Sequence, residues 1–277
     1  MRILVTGAGG YIGRHVVSAF LEKGHEVWGS DFSFKGIDDR VRIMEEPIFS
    51  GDKNIYQTMG SPDVLVHLAW RDGFIHNSDA HMKDLSSHMT FIKNMVDGGL
   101  PSLTVMGSAH EVGYWEGAVD EDTPCRPLSM YGIAKNALRQ AVLLYTADKD
   151  VTTHWLRGFY IYGDDARGSS VFAKLYQAVQ DGKEEFPFTS GKNRYDFLHI
   201  KELASQIAAA STQNQINGII NVCSGKAVPL GDFVEQWLRE NNFRISLQYG
   251  AYPDRPYDSP ALWGNNEKIR RIMEANA

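Results

Sequence analysis

A glycine-dense turn between two apolar segments constrains this chain more than any other feature. Residues 2–6 form an apolar run, the sequence Gly-Ala-Gly-Gly-Tyr-Ile-Gly occupies residues 7–13, and apolar residues then recur at helical spacing as far as residue 21. This pattern predicts a strand, a tight turn and a helix, followed by a second strand over residues 26–30. The chain is therefore expected to begin with the first two strands of an α/β sheet.

The turn has the composition of a dinucleotide-binding site. Gly7, Gly10 and Gly13 allow a tight turn and close approach to a pyrophosphate, and the helix N-terminus offers free N–H groups to that anion. Asp31 stands at the predicted end of the second strand, where a carboxylate can hold the adenosine ribose hydroxyls. A glycine-rich turn alone is weak evidence, but the flanking strand, helix and acid favour dinucleotide binding. Asp31 would repel a 2′-phosphate, which favours NAD, while the nearby Lys35 leaves NADP open.

Length and composition exclude several classes of protein. The 277 residues suffice for one large or two modest domains, and the net charge of −6 gives no attraction to nucleic acid or to an anionic membrane. No apolar run approaches membrane-spanning length. Cys125 and Cys223 are far apart, which argues against a disulfide framework or a zinc site, so no metal is expected. Since the first strand begins at residue 2, no targeting segment is expected, and a cytoplasmic location follows.

Buried strands alternate with helices along the first part of the chain. Apolar runs at residues 64–69, 103–106 and 151–159 are typical of buried parallel strands, and residues 76–96 and 129–146 have helical periodicity. This alternation predicts an α/β fold with a Rossmann-type doubly wound parallel sheet. Residues 107–127 form a long turn-rich loop of the kind that is functional or disordered. Beyond residue 163, shorter helices and strands look like further α/β material.

Three side chains suggest acid–base chemistry. Tyr131 and Lys135 are four residues apart on a predicted helix and so lie on the same face, one turn apart. Ser108 follows the strand at residues 103–106, at the edge where open α/β sheets bind ligands. A lysine charge beside a tyrosine lowers the phenol pKa and makes it a usable acid or base. A Tyr-x-x-x-Lys pair alone could be two unrelated surface residues, and only its combination with the turn and Ser108 makes the prediction specific.

On these motifs the chain resembles the extended short-chain dehydrogenase/reductase family. Residues 6–13 are similar to its cofactor motif, His67-Leu68-Ala69 to its strand-four motif, and residues 157–163 and 196–199 to two further motifs. Ser108, Tyr131 and Lys135 fall where the catalytic triad of the family falls. The resemblance covers nearly the whole chain.

The resemblance implies an organisation and a set of roles. It implies an NAD(P)-binding Rossmann domain over residues 1–165, to which residues 196–223 return, and a smaller C-terminal α/β substrate domain over residues 166–277. A nucleotide-activated sugar would bind between them. Tyr131 would pass a proton to or from the sugar oxygen, Ser108 would hydrogen-bond that oxygen, and Lys135 would tune Tyr131 and hold the nicotinamide ribose. The implied cofactor contacts are Gly7, Gly10, Tyr11, Ile12, Gly13, Asp31, Leu68, Ala69, Tyr131 and Lys135.

Substrate contacts and assembly are less constrained. His110 and Glu111 follow Ser108 and either touch the substrate or lie in a solvated loop. Tyr160 is a further candidate, and Arg167 and Arg194 carry the right charge for a diphosphate, with a plain surface role as the alternative. The resemblance also implies a homodimer packed through the helices at residues 82–96 and 129–145.

Departures from the family pattern separate its branches. Dehydratases carry an Asp-Glu pair where Ala109 and His110 stand, so dehydration is disfavoured. Epimerases usually carry asparagine at Tyr160. Where Pro47 aligns, relatives often have an aspartate that contacts adenine. Since proline cannot replace that contact, cofactor affinity is expected to depend more on Asp31. The loop at residues 107–111, with the aromatic residues near it, looks most similar to reductases of nucleotide-linked 4-keto-6-deoxy sugars.

Three hypotheses follow. The first is an NAD(P)-dependent reductase of a nucleotide-activated 4-keto-6-deoxy sugar, in which Tyr131 donates the proton. The second is an NAD-dependent nucleotide-sugar 4-epimerase with the same three residues. The third is a non-catalytic dinucleotide-sensing protein, which would not need a proton donor.

Overall fold

The computed structural model describes residues 1–163, 170–254 and 258–276. The strands are β1 (Arg2–Thr6), β2 (Glu26–Ser30), β3 (Arg42–Ile43), β4 (Val64–His67), β5 (Ser102–Ser108), β6 (Gly117–Val119), β7 (Thr152–Gly158), β8 (Tyr160–Tyr162), β9 (Glu185–Pro187), β10 (Arg194–His199), β11 (Gly218–Val222), β12 (Ala227–Pro229), β13 (Ser246–Gln248) and β14 (Ala261–Gly264). The helices are α1 (Tyr11–Glu22), α2 (Ile55–Thr58), α3 (Ala80–Asp97), α4 (Met130–Thr146), α5 (Val171–Gln180), α6 (Ile200–Ser211), α7 (Leu230–Glu240) and α8 (Glu267–Ala275), and a 3₁₀ turn covers Ala109–Glu111.

A seven-stranded parallel sheet forms the larger part of the molecule. Its strand order is β11-β7-β5-β4-β1-β2-β3. The central strand β1 pairs with β2 on one side and with β4 on the other, so that Val5 lies in register with both Gly29 and Val66. The order reverses between β1 and β4, which opens a crevice at the carboxyl ends of these strands, where such sheets bind ligands. The predicted Rossmann-type doubly wound sheet is confirmed.

Helices cover both faces of this sheet, which explains the near-continuous apolar runs in its strands. Within β1, Ile3 and Val5 belong to a buried cluster with α1, α6 and α8, whereas Leu4 belongs to a second cluster with α3 and α4. Successive side chains of a strand point to opposite faces, so a strand covered on both sides must be apolar at every position. Each such side chain contributes about 1.5–3 kcal/mol through its burial.

A second sheet combines strands from the N-terminal and C-terminal parts of the chain. Its order is β12-β10-β14-β6, and β8 also pairs with β10. Tyr195 and Phe197 of β10 face an aromatic cluster with α5 and α7, whereas Asp196 points to the other face and is fully buried. The Asp196 carboxylate accepts hydrogen bonds from the backbone N–H groups of Ser224, Gly225 and Gly264 at 2.8, 2.9 and 3.1 Å, and from the Ser224 hydroxyl. One buried side chain therefore ties β10 to β14 and to the turn after β11.

The predicted domain boundaries stay a prediction. Strand β11 belongs to the first sheet and α6 packs against α1, whereas β10 belongs to the second sheet together with β6 and β8 from the N-terminal part of the chain. Within the described ranges, none of the helices is both long and apolar enough to cross a bilayer.

Candidate active site

The glycine turn has the backbone that close packing against β4 requires. Gly7 has a φ of +72°, and a Cβ atom there would lie 2.8 Å from the backbone nitrogen of Ala69. At Gly13 a Cβ atom would lie 2.0 Å from the carbonyl oxygen of Gly7. Gly10 precedes α1 in an extended conformation, and no side chain caps this helix end. The first N–H groups of α1 are therefore available to an anion at the mouth of the crevice.

Asp31 follows β2 and faces the same turn. Its carboxylate accepts hydrogen bonds from the backbone N–H groups of Gly9 at 2.9 Å and of Phe32 at 2.6 Å. A carboxylate can accept about four hydrogen bonds, so two ribose hydroxyls can still bind it. Gly7, Gly10, Tyr11, Ile12, Gly13 and Asp31 surround one end of the crevice, and Leu68 and Ala69 follow β4 beside it. These groups fit a dinucleotide such as NAD, since they combine the N–H groups at the start of a helix with an acid placed for the ribose.

The structure brings Ser108, Tyr131 and Lys135 together. Ser108 is the last residue of β5, and Tyr131 and Lys135 lie in the first two turns of α4. The Ser108 side chain lies close enough to the Tyr131 phenol to lower the pKa of that phenol. The backbone N–H of Tyr131 donates to the carbonyl of His76 at 2.8 Å, which fixes the start of α4 against the loop that precedes α3. Sequence positions more than twenty residues apart thus form one site at the predicted sheet edge.

The pKa of Tyr131 differs from the sequence expectation. Burial raises the pKa of Tyr131 to about 12, the Ser108 side chain beside it opposes this, and the charge of Glu111 adds to it. The expectation that Lys135 lowers this pKa is wrong, because Lys135 is not among the groups that shift it. The Lys135 ammonium instead donates to the carbonyl of Met106 at 2.8 Å and lies 6.0 Å from the centre of the Tyr131 ring. Tyr131 is therefore a protonated phenol at neutral pH.

Lys135 is itself an unusual lysine. Its side chain is buried, with its ammonium 3.8 Å from the centre of the Trp70 ring. Burial lowers the pKa of Lys135 to about 7, and the negative charge of Glu111 opposes this change. The lysine is thus charged in only part of the molecules near neutral pH.

An aromatic shell encloses Tyr131 and was missed by the sequence reasoning. The rings of His76, His81 and His110 have centroids 5.8, 5.3 and 5.7 Å from that of Tyr131, and Trp70 lies at 6.1 Å. The Trp70 indole donates to Nδ1 of His81 at 3.1 Å. These imidazoles do not form a metal-binding group within the part of the chain that the structure describes. The one sequence signal was Trp70, a bulky aromatic directly after the strand-four motif.

His67 in that motif has a packing role, as its position in a strand suggested. It is buried, and its two ring nitrogens contact Thr6 Oγ1 and His88 Nδ1, each at 2.8 Å. Burial keeps the pKa of His67 well below its usual value.

The predicted substrate residues are not all on one surface. His110 is exposed beside Tyr131. Tyr160 packs against Tyr195 on the aromatic face of β10, with ring centroids 4.0 Å apart and ring planes tilted by 33°. Arg194 precedes Tyr195 and points to the opposite face, where it is exposed and donates to the carbonyl of Ala227 at 3.0 Å. Arg194 and Tyr160 therefore do not form one diphosphate site, and Arg167 lies outside the described residues.

Glu111 was expected to touch the substrate or to lie in a solvated loop, and both interpretations are wrong. Its side chain is fully buried and accepts a hydrogen bond from the backbone N–H of Ser108 at 2.7 Å. The Ser108 hydroxyl in turn accepts from the N–H of His110, which completes a capping box around the 3₁₀ turn. The sequence signal for this arrangement was the spacing Ser-x-x-Glu.

Comparisons with known proteins agree with this geometry. A family model described as the NAD dependent epimerase/dehydratase family matches residues 3–223. A protein from Aggregatibacter actinomycetemcomitans, named dTDP-6-deoxy-L-talose 4-dehydrogenase (NAD(+)), is 39% identical over 271 residues, which cover 95% of this chain and 99% of that protein.

Solved structures show the same fold at lower sequence identity. A UDP-N-acetylglucosamine 4-epimerase from Methanobrevibacter ruminantium has a TM-score of 0.85 at 19% identity, covering 98% of this chain and 91% of that one. A UDP-glucose 4-epimerase from Thermus thermophilus, in complex with NAD, has a TM-score of 0.82 at 20% identity, covering 100% and 93%.

Proposed function

Because the chain belongs to the NAD-dependent epimerase/dehydratase family, we propose that it reduces a nucleotide-activated 4-keto-6-deoxy sugar at carbon 4, and catalyses the reverse oxidation. The chain is an NAD-dependent enzyme. The sugar class is supported by the relative that is 39% identical over nearly the whole of both chains, since that relative is named as a 4-dehydrogenase of a dTDP-linked 6-deoxy sugar. A dehydrogenase and a reductase of the same carbon are one enzyme run in opposite directions.

The observation that carries the proposal is the placement of the Tyr131 phenol beside Ser108 at the carboxyl end of β5. Reduction of a ketone requires one hydride and one proton, and NAD, when bound in its reduced form, supplies the hydride. Tyr131, with a pKa of about 12, holds the proton at neutral pH and can donate it to the oxygen on carbon 4. Ser108 can hydrogen-bond the same oxygen and stabilise its developing charge. Oxidation requires the phenolate instead, so it should become faster as the pH rises.

The surrounding side chains suit a reaction that needs a dry site. The rings of Trp70 and His81 cover one side of the Tyr131 ring, so that Tyr131 is half-buried. The buried Lys135 ammonium lies on the same helix face as Tyr131, where it can hold the ribose next to the nicotinamide. We assign NAD binding to residues 1–165 with 196–223, and sugar binding to residues 166–277, as part of this proposal.

The proposal is tested with purified protein, a nucleotide-linked 4-keto-6-deoxyhexose and NADH carrying deuterium at the transferred position. We expect one NADH oxidised per sugar reduced, with deuterium on carbon 4 of the product. Conversion of a 4-hydroxy sugar into its 4-epimer without net NADH oxidation would support the epimerase alternative and contradict the reductase. Absence of both reactions across dTDP-, UDP- and GDP-linked sugars would refute the proposed function.

A further inference from the structure

A charged network lies beneath Ser108, where it is shielded from solvent. Glu111 is fully buried, and its Oε2 atom lies 3.4 Å from Nε of Arg139 on α4 and 3.6 Å from Nε of Arg157 on β7. Its carboxylate also accepts a hydrogen bond from the indole of Trp155 at 3.0 Å. Taking a carboxylate out of water costs several kcal/mol, so a charge in this place is expected only where partners compensate it.

The Glu111 carboxylate is hydrogen-bonded to the backbone of Ser108, the residue beside Tyr131. Its Oε1 atom accepts from the N–H of Ser108 at 2.7 Å, and this residue ends β5. Gly107, the preceding residue, leaves the space for this contact, because a Cβ atom there would lie 2.5 Å from Glu111 Oε1 and 2.2 Å from the Trp155 indole nitrogen. Gly107 of β5, Glu111 of the 3₁₀ turn and Trp155 of β7 therefore pack closely together beneath Ser108.

We propose that Glu111 is the positioning residue of this site: its buried carboxylate fixes the Ser108 backbone so that the hydroxyl faces Tyr131, and it places a buried negative charge near both Tyr131 and Lys135. The inference deepens the proposed function and rests on it for the catalytic consequence, while its electrostatic part can be measured without substrate. Glu111 does not touch the reacting atoms in this account and acts through Ser108, Tyr131 and Lys135.

The electrostatic part follows from the surroundings of each group. Tyr131 is faced by the imidazoles of His76, His81 and His110 and by the ammonium of Lys135. The negative charge of Glu111 acts on both Tyr131 and Lys135, and it raises the pKa of each. Arg139 and Arg157 partly neutralise it. Removing the acid should therefore make both groups lose their protons more easily, and removing an arginine should do the opposite.

Three variants test the proposal by NMR titration of ¹³C-labelled lysine, with the Lys135 signal assigned from Lys135→Met. Glu111→Gln keeps the shape and one acceptor oxygen but removes the charge, and we expect the pKa of Lys135 to fall by about half a unit or more. Arg139→Gln should raise it. Asp196→Asn is the matched control, because Asp196 is equally buried and hydrogen-bonded but belongs to the second sheet, and it should leave the pKa of Lys135 unchanged.

Turnover provides a second measurement on the same proteins. We expect Glu111→Gln to lower kcat by about tenfold or more, with the Kd for NAD changed by less than about twofold, and to move the alkaline limb of the pH profile to lower pH. A Lys135 signal that titrates alike in Glu111→Gln and the wild type would overturn the electrostatic role, whether or not the protein turns over a sugar. An unchanged kcat in Glu111→Gln, with an active wild type, would overturn the positioning role. If Glu111→Gln fails to fold, Arg139→Gln tests the electrostatic role by itself: a rise in the pKa of Lys135 would support that role, and an unchanged pKa would overturn it.

Discussion

Two glycines with nearly the same backbone conformation allow the close approach at the cofactor turn to be measured. Gly7 has a φ of +72° and Gly24 a φ of +77°, but a Cβ atom at Gly24 would meet nothing within 4 Å. Alanine at either position adopts a left-handed conformation, which costs about 1–2 kcal/mol. At Gly7 the new atom would also lie 2.8 and 2.9 Å from backbone atoms of Ala69, and displacing the end of β4 costs about 1–3 kcal/mol more.

The expected loss of unfolding free energy is therefore about 2–5 kcal/mol for Gly7→Ala and about 1–2 kcal/mol for Gly24→Ala. Denaturant unfolding measures both, and calorimetric titration with NAD measures the consequence for the crevice. Gly24→Ala should bind NAD like the wild type, whereas Gly7→Ala should weaken it by about tenfold or more, which is about 1.4 kcal/mol. Equal destabilisation of the two variants, or wild-type NAD affinity in Gly7→Ala, would refute the packing argument.

Three further outcomes are expected. Burial lowers the pKa of His154 to about 4, so its neutral form adds stability above pH 6.5 that is lost as the pH falls towards 4, about 3 kcal/mol in all. When unfolding is measured at several pH values, the free energy of unfolding of His154→Gln should fall less between pH 6.5 and pH 4 than that of the wild type. The same fall in both proteins would contradict this. Asp31→Ser should bind NAD more weakly than the wild type, and its preference for NAD over NADP should be smaller when both cofactors are titrated. An unchanged ratio of the two Kd values would count against the role of Asp31. The homodimer predicted through this helix would cover the exposed α4 side chains Ile133 and Leu144, so Leu144→Glu should sediment as a monomer, and a dimer of that variant would count against this interface.

The parts of the fold that periodicity determines were predictable. Buried parallel strands such as β4 are almost continuously apolar, as Val64, Leu65 and Val66 show, and the helix predicted at residues 129–146 is α4, Met130–Thr146. Strands β3, β6, β8, β9, β12 and β14 were missed, because two to four residues without clear alternation take their conformation from the strands they pair with. The second sheet is therefore largely a product of tertiary contacts.

The candidate site shows the same limit. Spacing along one helix and the position of a strand end were enough to bring Ser108, Tyr131 and Lys135 together. Spacing could not predict that Lys135 turns to Trp70 and Met106, because the protonation of a buried group depends on desolvation by residues distant in sequence. The burial of Glu111 depends likewise on Arg139, Trp155 and Arg157, which belong to other elements.

The proposed reaction depends most directly on the Tyr131 phenol as the group that exchanges a proton with the sugar oxygen. The decisive measurement is a single-turnover reaction of NADH with the 4-keto sugar in Tyr131→Phe, compared with Tyr145→Phe, which removes a phenol from the far end of the same helix. We predict that Tyr145→Phe reacts like the wild type, and that Tyr131→Phe binds NADH with wild-type affinity but oxidises it at least about 10²-fold more slowly. Wild-type rates of NADH oxidation in Tyr131→Phe would contradict the account.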